Sequence, residues 1–188
     1  MTAVLAIDTA SRSRIVVVRA GRDGTVLRAE VVRGASVGTS LPGLLQRMLT
    51  EDVEAVVVVI GPGTYTGVRA GMAGALGIAQ ARGLPLHGVG SLEVVACASP
   101  TNSDSASWVA ADAGRGAIYV ASTQAAATPR RALVSEFDGG GGAVFSTDTL
   151  PLERLVVIDP AEALSAAVPL ALSRPPLDAD GLTALYVD

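Results

Sequence analysis

The chain has 188 residues, 49% of them hydrophobic, enough for one large α/β domain or two small lobes sharing an interface. Its longest uninterrupted apolar run, residues 55–60, is far shorter than the ~20 residues that span a bilayer, which argues against a membrane protein. Net charge is −4, the basic side chains are 14 arginines with no lysine, and aromatics make up 3%, so the basic stripe and stacking rings of a protein that grips nucleic acid alone are missing.

In chain order, the N-terminus lacks a positive region and its first apolar stretch ends at Asp8, so no signal peptide is expected and the chain reads as cytoplasmic. Residues 4–8, 15–19 and 26–33 read as strands, with the turn Gly21-Arg22-Asp23-Gly24 between the last two. A loop over 34–39 leads to a helix capped by Ser40, with Pro42 in its first turn and Leu41, Leu44, Leu45 and Met48 on one apolar face. The valine run of 55–60 predicts a strand buried on both faces of a parallel sheet. After the loop Gly61–Tyr65, a helix is predicted over 66–82, ended by Gly83 with Pro85 beyond. A short strand (86–89) and a helix (91–98) lead into a polar linker over 99–105. Cys97 is the only cysteine, so neither an intramolecular disulfide nor a thiolate metal cluster can form.

The same order is expected to return. Residues 108–112, 118–122 and 132–135 read as strands, 138–142 as a glycine-rich tip, 147–154 as a helix and 155–159 as a buried strand. A last helix opens with Asp159 as N-cap, Pro160 at N1 and Glu162 at N3. Two β-β-β-α-β-α series predict a duplicated α/β fold of the actin-like, Hsp70 ATPase and sugar-kinase type, with lobes over 1–98 and 99–188. The segment 179–188 is expected to return as an extended tail. Fold alone supplies no function.

Among residues that carry chemistry, His87 is the only histidine and lies in an apolar strand, where it reads as structural; a triad or a two-histidine metal site lacks its imidazoles. Asp8-Thr9-Ala10-Ser11 has the outline of a phosphate turn of actin-like ATPases, but Ala10 stands where glycine would let the backbone approach phosphate. Asp112-Ala113-Gly114 is the matching turn of the second lobe and keeps its glycine. The loop Gly61–Gly67 precedes a helix but has no Gly-Lys-Ser/Thr, and the chain has no lysine to supply one.

The helix over 66–82 is the most informative element. Gly67, Gly71, Gly74 and Ile78 share one stripe, and alanines, among them Ala70 and Ala75, fill most of the rest. Each interior glycine costs about 1 kcal/mol against alanine, so close approach by another helix or by the sheet must compensate. Arg69, Gln80 and Arg82 are its only strong polar interruptions. A helix without a polar face is buried on both sides. The sheet covers one side, and the other needs a partner subunit or the second lobe.

The segment Gly61-Pro62-Gly63-Thr64-Tyr65-Thr66-Gly67-Val68-Arg69-Ala70-Gly71, with Leu84–Leu92, Leu5–Thr9 and Asp112–Tyr119, closely resembles the TsaB (YeaZ) family. The resemblance implies the non-catalytic dimerisation subunit of the complex that forms threonylcarbamoyladenosine at position 37 of ANN-decoding tRNAs. It implies a TsaD-type catalytic paralogue and a TsaE-type ATPase as partners, a homodimer when alone, and tRNA met only through the complex. No cofactor, metal or catalytic residue is expected. The partner face it implies comprises Leu41, Leu44, Leu45, Met48, Gly67, Arg69, Ala70, Gly71, Gly74, Ala75 and Ile78. The chain departs from the family at Gly114 and Ala117, where arginine and glutamate are usual, and in a tail that keeps Tyr186 without its usual proline and arginine. A stand-alone actin-like ATPase or a glycoprotease-like hydrolase is the alternative; Ala10 counts against the first and the missing histidines against the second.

Overall fold

The structure is a computed structural model that describes residues 2–34, 37–100, 107–126, 128–178 and 180–187. Residues 35–36 of the loop predicted before the first helix and residues 101–105 of the 99–105 linker lie outside these residues. Strands β1 (Ala3–Asp8), β2 (Arg14–Ala20) and β3 (Val26–Arg33) form an antiparallel meander. β1 also pairs in parallel with β4 (Val53–Val59), and β4 in parallel with β5 (Leu86–Val89), giving the order β3-β2-β1-β4-β5. Every β1 residue is buried, as its unbroken apolar run predicts for a central strand covered on both faces. Helices α1 (Val37–Met48) and α2 (Tyr65–Arg82) pack together on one face of this sheet.

The second sheet repeats the pattern. Strands β6 (Trp108–Gly114), β7 (Ala117–Ser122), β8 (Arg130–Leu133), β9 (Val144–Ser146) and β10 (Leu155–Val157) run in the order β10-β9-β6-β7-β8, with the same parallel and antiparallel neighbours. The duplicated actin-like α/β architecture therefore holds at the level of the sheets.

Each lobe lends its last helix to the other. α3 (Ser91–Ala98), which follows β5, buries Leu92 and Val95 with Val109, Ala121 and Phe145 of the second lobe. α4 (Pro160–Ala166), which follows β10, sends Ala163 and Leu164 into the first lobe's core, as does α5 (Val168–Leu172) with Val168 and Ala171. α3 and α4 also pack on each other, which fastens the lobes together.

Several expectations are corrected. The first helix opens at Val37, so Ser40 is not its cap and Pro42 falls in the second turn. The Gly38 carbonyl then lacks its usual donor, but both residues are exposed and water can replace it. Residues 147–154 form no helix: Asp148 is drawn into contacts with the first lobe, and Pro151 brings no backbone donor. The strand predicted over 155–159 is shorter and lies at the sheet edge, with Val156 and Val157 exposed. The helix after it covers the first lobe instead. The α2 helix keeps its predicted end, where Gly83 at φ 63° adopts the left-handed conformation that only glycine enters at no steric cost. Among the described residues no helix is long and apolar enough to cross a membrane.

Candidate functional site

Two places can carry function: the cleft between the lobes, where the two strand-end turns meet, and the outer face of α1 and α2. In the first turn Asp8 accepts the Ala10 N–H at 2.8 Å, and in the second Asp112 accepts the Gly114 N–H at 2.8 Å. Each turn thus spends on its own carboxylate an amide that a phosphate would need. The Ala10 carbonyl is taken by the Thr64 N–H at 2.9 Å, and a Cβ placed on Gly63 would lie 2.6 Å from Ala10. The methyl group of Ala10 fills the space in front of the glycine loop.

The cleft floor is crossed by an ion pair between Arg14 of β2 and Asp148, both buried. Arg14 also donates to Thr147 Oγ1 at 2.6 Å, and Ser11 Oγ to Asp148 at 3.0 Å. Burial pushes the Asp8 carboxyl up from the ordinary carboxylate value, against the pull of the Arg14 guanidinium and the Ala10 N–H, and with a further push from Asp148. Beside this floor a cavity of about 670 Å³ opens, with Arg12, Arg14 and Arg33 balanced by Asp112, Asp148 and Asp159. Arg12 is already paired to Asp112 at 3.5 Å. The cleft, the seam between the lobes, is thus a cavity with a charge-balanced lining over a floor closed by the Arg14–Asp148 pair, and it offers a triphosphate no excess of positive charge.

The glycine loop is a joint between strands and tail. Gly61 accepts the Ser91 N–H at 2.8 Å, Pro62 accepts Ser91 Oγ at 2.7 Å, and the peptide between Gly61 and Pro62 is cis. Thr64 caps α2 by accepting the Gly67 N–H at 3.2 Å. The tail packs as an extended segment, as expected: Leu177 donates to the Leu86 carbonyl at 2.7 Å and Leu185 to the Ile60 carbonyl at 2.7 Å. Arg174 anchors it with two bonds to Glu93, at 2.6 and 3.0 Å. His87 is structural, buried with Nδ1 3.2 Å from the Arg174 carbonyl, and burial pushes its pKa down. Among the described residues no group of three or more His, Cys, Asp or Glu is placed to hold a metal ion.

The residues expected on a partner face divide into two sets. Leu41, Leu44, Met48 and Ala75 are buried in the first lobe's own core and have no surface left to offer. Gly67 and Gly71 are also turned inward, against Thr9, whose Oγ1 donates to the Gly67 carbonyl at 2.6 Å. These six face into the lobe: α2 is seated on the β1 turn by its glycines, and α1 on the sheet by its leucines. Gly74 faces α1, where a Cβ would meet Leu45 at 3.0 Å. Leu45, Ala70, Gly74 and Ile78 are half-buried along the rim of the core, and Arg69 is exposed.

The outward stripe of α2 is therefore different from the one the glycines suggest. It runs through Thr66, Arg69, Ala73, Gly77 and Gln80, all exposed, with Ala70 and Gly74 beside it. At its start Tyr65 and Tyr186 stack at 6.1 Å, and the Arg69 guanidinium lies 3.9 Å over the Tyr65 ring. Sequence reasoning placed Arg69 on the face but read Tyr65 and Tyr186 only as family features, since Tyr186 reaches this place only through the tail.

Comparison with known proteins fits this architecture. The profile of the family described as TsaD, tRNA N6-adenosine threonylcarbamoyltransferase, matches residues 44–138. Uncharacterized proteins of Mycobacterium tuberculosis and Mycobacterium bovis are 38% identical over 102 residues, 50% of this chain. The match spans about half, 48%, of the length of those curated relatives. YeaZ from Pseudomonas aeruginosa superposes with a TM-score of 0.74 at 20% identity, over 100% of both chains. A second structure, of a protein with similarity to peptidase YeaZ from Pseudomonas aeruginosa, gives 0.69 at 20% identity, again over 100% of both chains. The family profile runs from α1 through α2 and across the seam into the second sheet, and the superposition carries the same architecture to both ends: the chain belongs to the TsaD family and takes the YeaZ (TsaB) form of its fold.

Proposed function

We propose that the chain is a non-catalytic subunit that binds and supports a TsaD-type catalytic paralogue, together with a TsaE-type ATPase, in threonylcarbamoylation of adenosine 37 of ANN-decoding tRNAs. The observation that carries this reading is the outward stripe of α2. Thr66, Ala73 and Gly77 are small, uncharged and exposed, with the half-buried Ala70 beside them, so another helix can approach the α2 backbone closely. The seam supports the non-catalytic part: Arg14 and Asp148 occupy the cleft floor, and both turns satisfy their own amides. The surface chemistry supports tRNA contact only through the complex, since net charge is −4. Alone, the chain is expected to pair with itself through the same helices.

A peptidase reading has little to build on. His87 is buried at a backbone carbonyl of the tail, and Cys97, though exposed as a residue, has its thiol pushed up by desolvation of the sulfur and by Glu93, the opposite of an activated nucleophile.

Ala73→Arg tests the face. Ala73 is exposed, so the variant is expected to fold as the parent does by circular dichroism while losing the purified paralogue in titration calorimetry. Undiminished binding would sink the α2 reading. Threonylcarbamoyl transfer by the chain alone, without any partner, would sink the non-catalytic one.

A further inference from the structure

We infer that Arg69 is a pre-aligned fork for a carboxylate of the protein that docks on the α2 stripe, held in line by Tyr65 and Tyr186. The inference rests on the partner-binding reading above. Arg69 Nε donates to the Tyr186 hydroxyl at 2.9 Å, and its guanidinium carbon lies over the Tyr65 ring, 3.9 Å from the centroid. These two contacts restrain the direction of the side chain. Among the described residues Arg69 forms no ion pair, so no carboxylate of this chain neutralises its charge. An arginine so arranged presents two parallel N–H donors, the geometry that matches a carboxylate.

The arrangement is costly to explain as packing. The tyrosines are 59% and 54% exposed, and Tyr186 lies 117 residues from Arg69 in the chain. Ordering exposed side chains loses rotamer entropy with little apolar burial in return. Pre-organisation for binding gives that order a purpose. By contrast Arg47, the cation of α1, is already engaged by Glu30 at 2.7 Å.

The exposed anion that fits is a protein carboxylate rather than an RNA phosphate. The only other charge on α2 is Arg82 at its far end, and the chain is net negative, whereas RNA binding requires several cations acting together. Next to Arg69 the stripe is neutral and small, the surface of a helix–helix contact, so the acidic residue would sit at one end of an incoming helix.

The test uses the full chain and the purified TsaD-type paralogue of the same organism, titrated by calorimetry. Arg69→Ala is expected to weaken binding on the order of tenfold and to flatten its salt dependence. Arg69→Lys should lose nearly as much, because an ammonium cannot make the two-point contact. Tyr186→Phe keeps the ring, drops the bond to Nε, and should weaken binding a few-fold, with no further loss when combined with Arg69→Ala. Binding by Arg69→Lys equal to the parent's would overturn the fork. If Ala73→Arg abolishes binding and Arg69→Ala leaves it intact, the face stands and the inference fails. If neither matters, the face reading fails first. A fluorescent tRNA whose affinity falls with Arg69→Ala, while paralogue binding holds, would assign the site to phosphate and overturn the inference.

Discussion

Gly71 lies so close to Thr9 that a Cβ on the glycine would meet Thr9 Oγ1 at 2.2 Å. Gly67, one turn earlier, would meet the Thr9 carbonyl at 2.1 Å. The conformational cost of both glycines is thus offset inside the lobe, where they let α2 settle on the end of β1. Gly71→Ala is expected to destabilise the chain by about 1–3 kcal/mol through overpacking. Gly77 is exposed with nothing within 4 Å of an added Cβ, so Gly77→Ala should stabilise the lone chain by up to about 1 kcal/mol. Urea midpoints that shift equally for the two variants would contradict this division of roles.

The seam depends on Arg14. Removing one member of a buried ion pair leaves the other charged and unpaired, which costs about 3–5 kcal/mol. Arg14→Ala should therefore lose several kcal/mol in urea unfolding. It should also speed amide exchange at Asp112, whose N–H points to Asp148 at 3.4 Å. A loss below about 1 kcal/mol, the scale of a surface pair, would mean that the lobes are held by α3 and α4 alone.

Asp8 gives the seam a pH dependence. Its folded-state pKa lies above the ordinary value because of burial, so in the window between the two values the folded chain binds the proton more readily than the unfolded one. The contribution of this group to stability falls as pH rises from the ordinary carboxylate value through the raised one. Asp8→Asn keeps an acceptor for the Ala10 N–H and should gain on the parent across that window. Parallel stability curves for the two proteins between acid and neutral pH would rule this out.

Arg174 ties the tail to α3. Burial pushes Glu93 up, but the Arg174 pair and the Gly90 N–H outweigh it, so its pKa ends below the ordinary value. Stability from Glu93 is present above its unfolded value and lost as pH falls through the lowered one. Arg174→Ala should cost about 1–2 kcal/mol near neutral pH, less in acid, and expose residues 174–187 to limited proteolysis. Unchanged protease resistance would show that the backbone bonds of Leu177 and Leu185 suffice.

Leu44 illustrates why spacing alone does not place a residue on a partner face. Its spacing with Leu41 and Met48 identifies an apolar stripe, and a stripe is equally suited to a sheet or to a partner. Burial decides: Leu44 is 1% exposed, so Leu44→Ala should cost about 2–5 kcal/mol and unfold the lobe before it tests any interface. Circular dichroism beside calorimetry separates the two losses.

The sequence by itself determined the order of the first lobe's elements, the duplication of the sheets, the Gly83 and Asp159 caps, the structural role of His87 and the family resemblance. These depend on local periodicity, capping chemistry and residue type, which neighbouring residues express directly. Only the tertiary structure decided which face of α2 is free, that α3 and α4 exchange lobes, and that β10 is an edge strand although it reads as buried. It alone brought Tyr186 to Arg69 and Asp148 to Arg14. The last two join residues more than a hundred positions apart, and the pattern along a chain shows that a surface must be covered without showing what covers it.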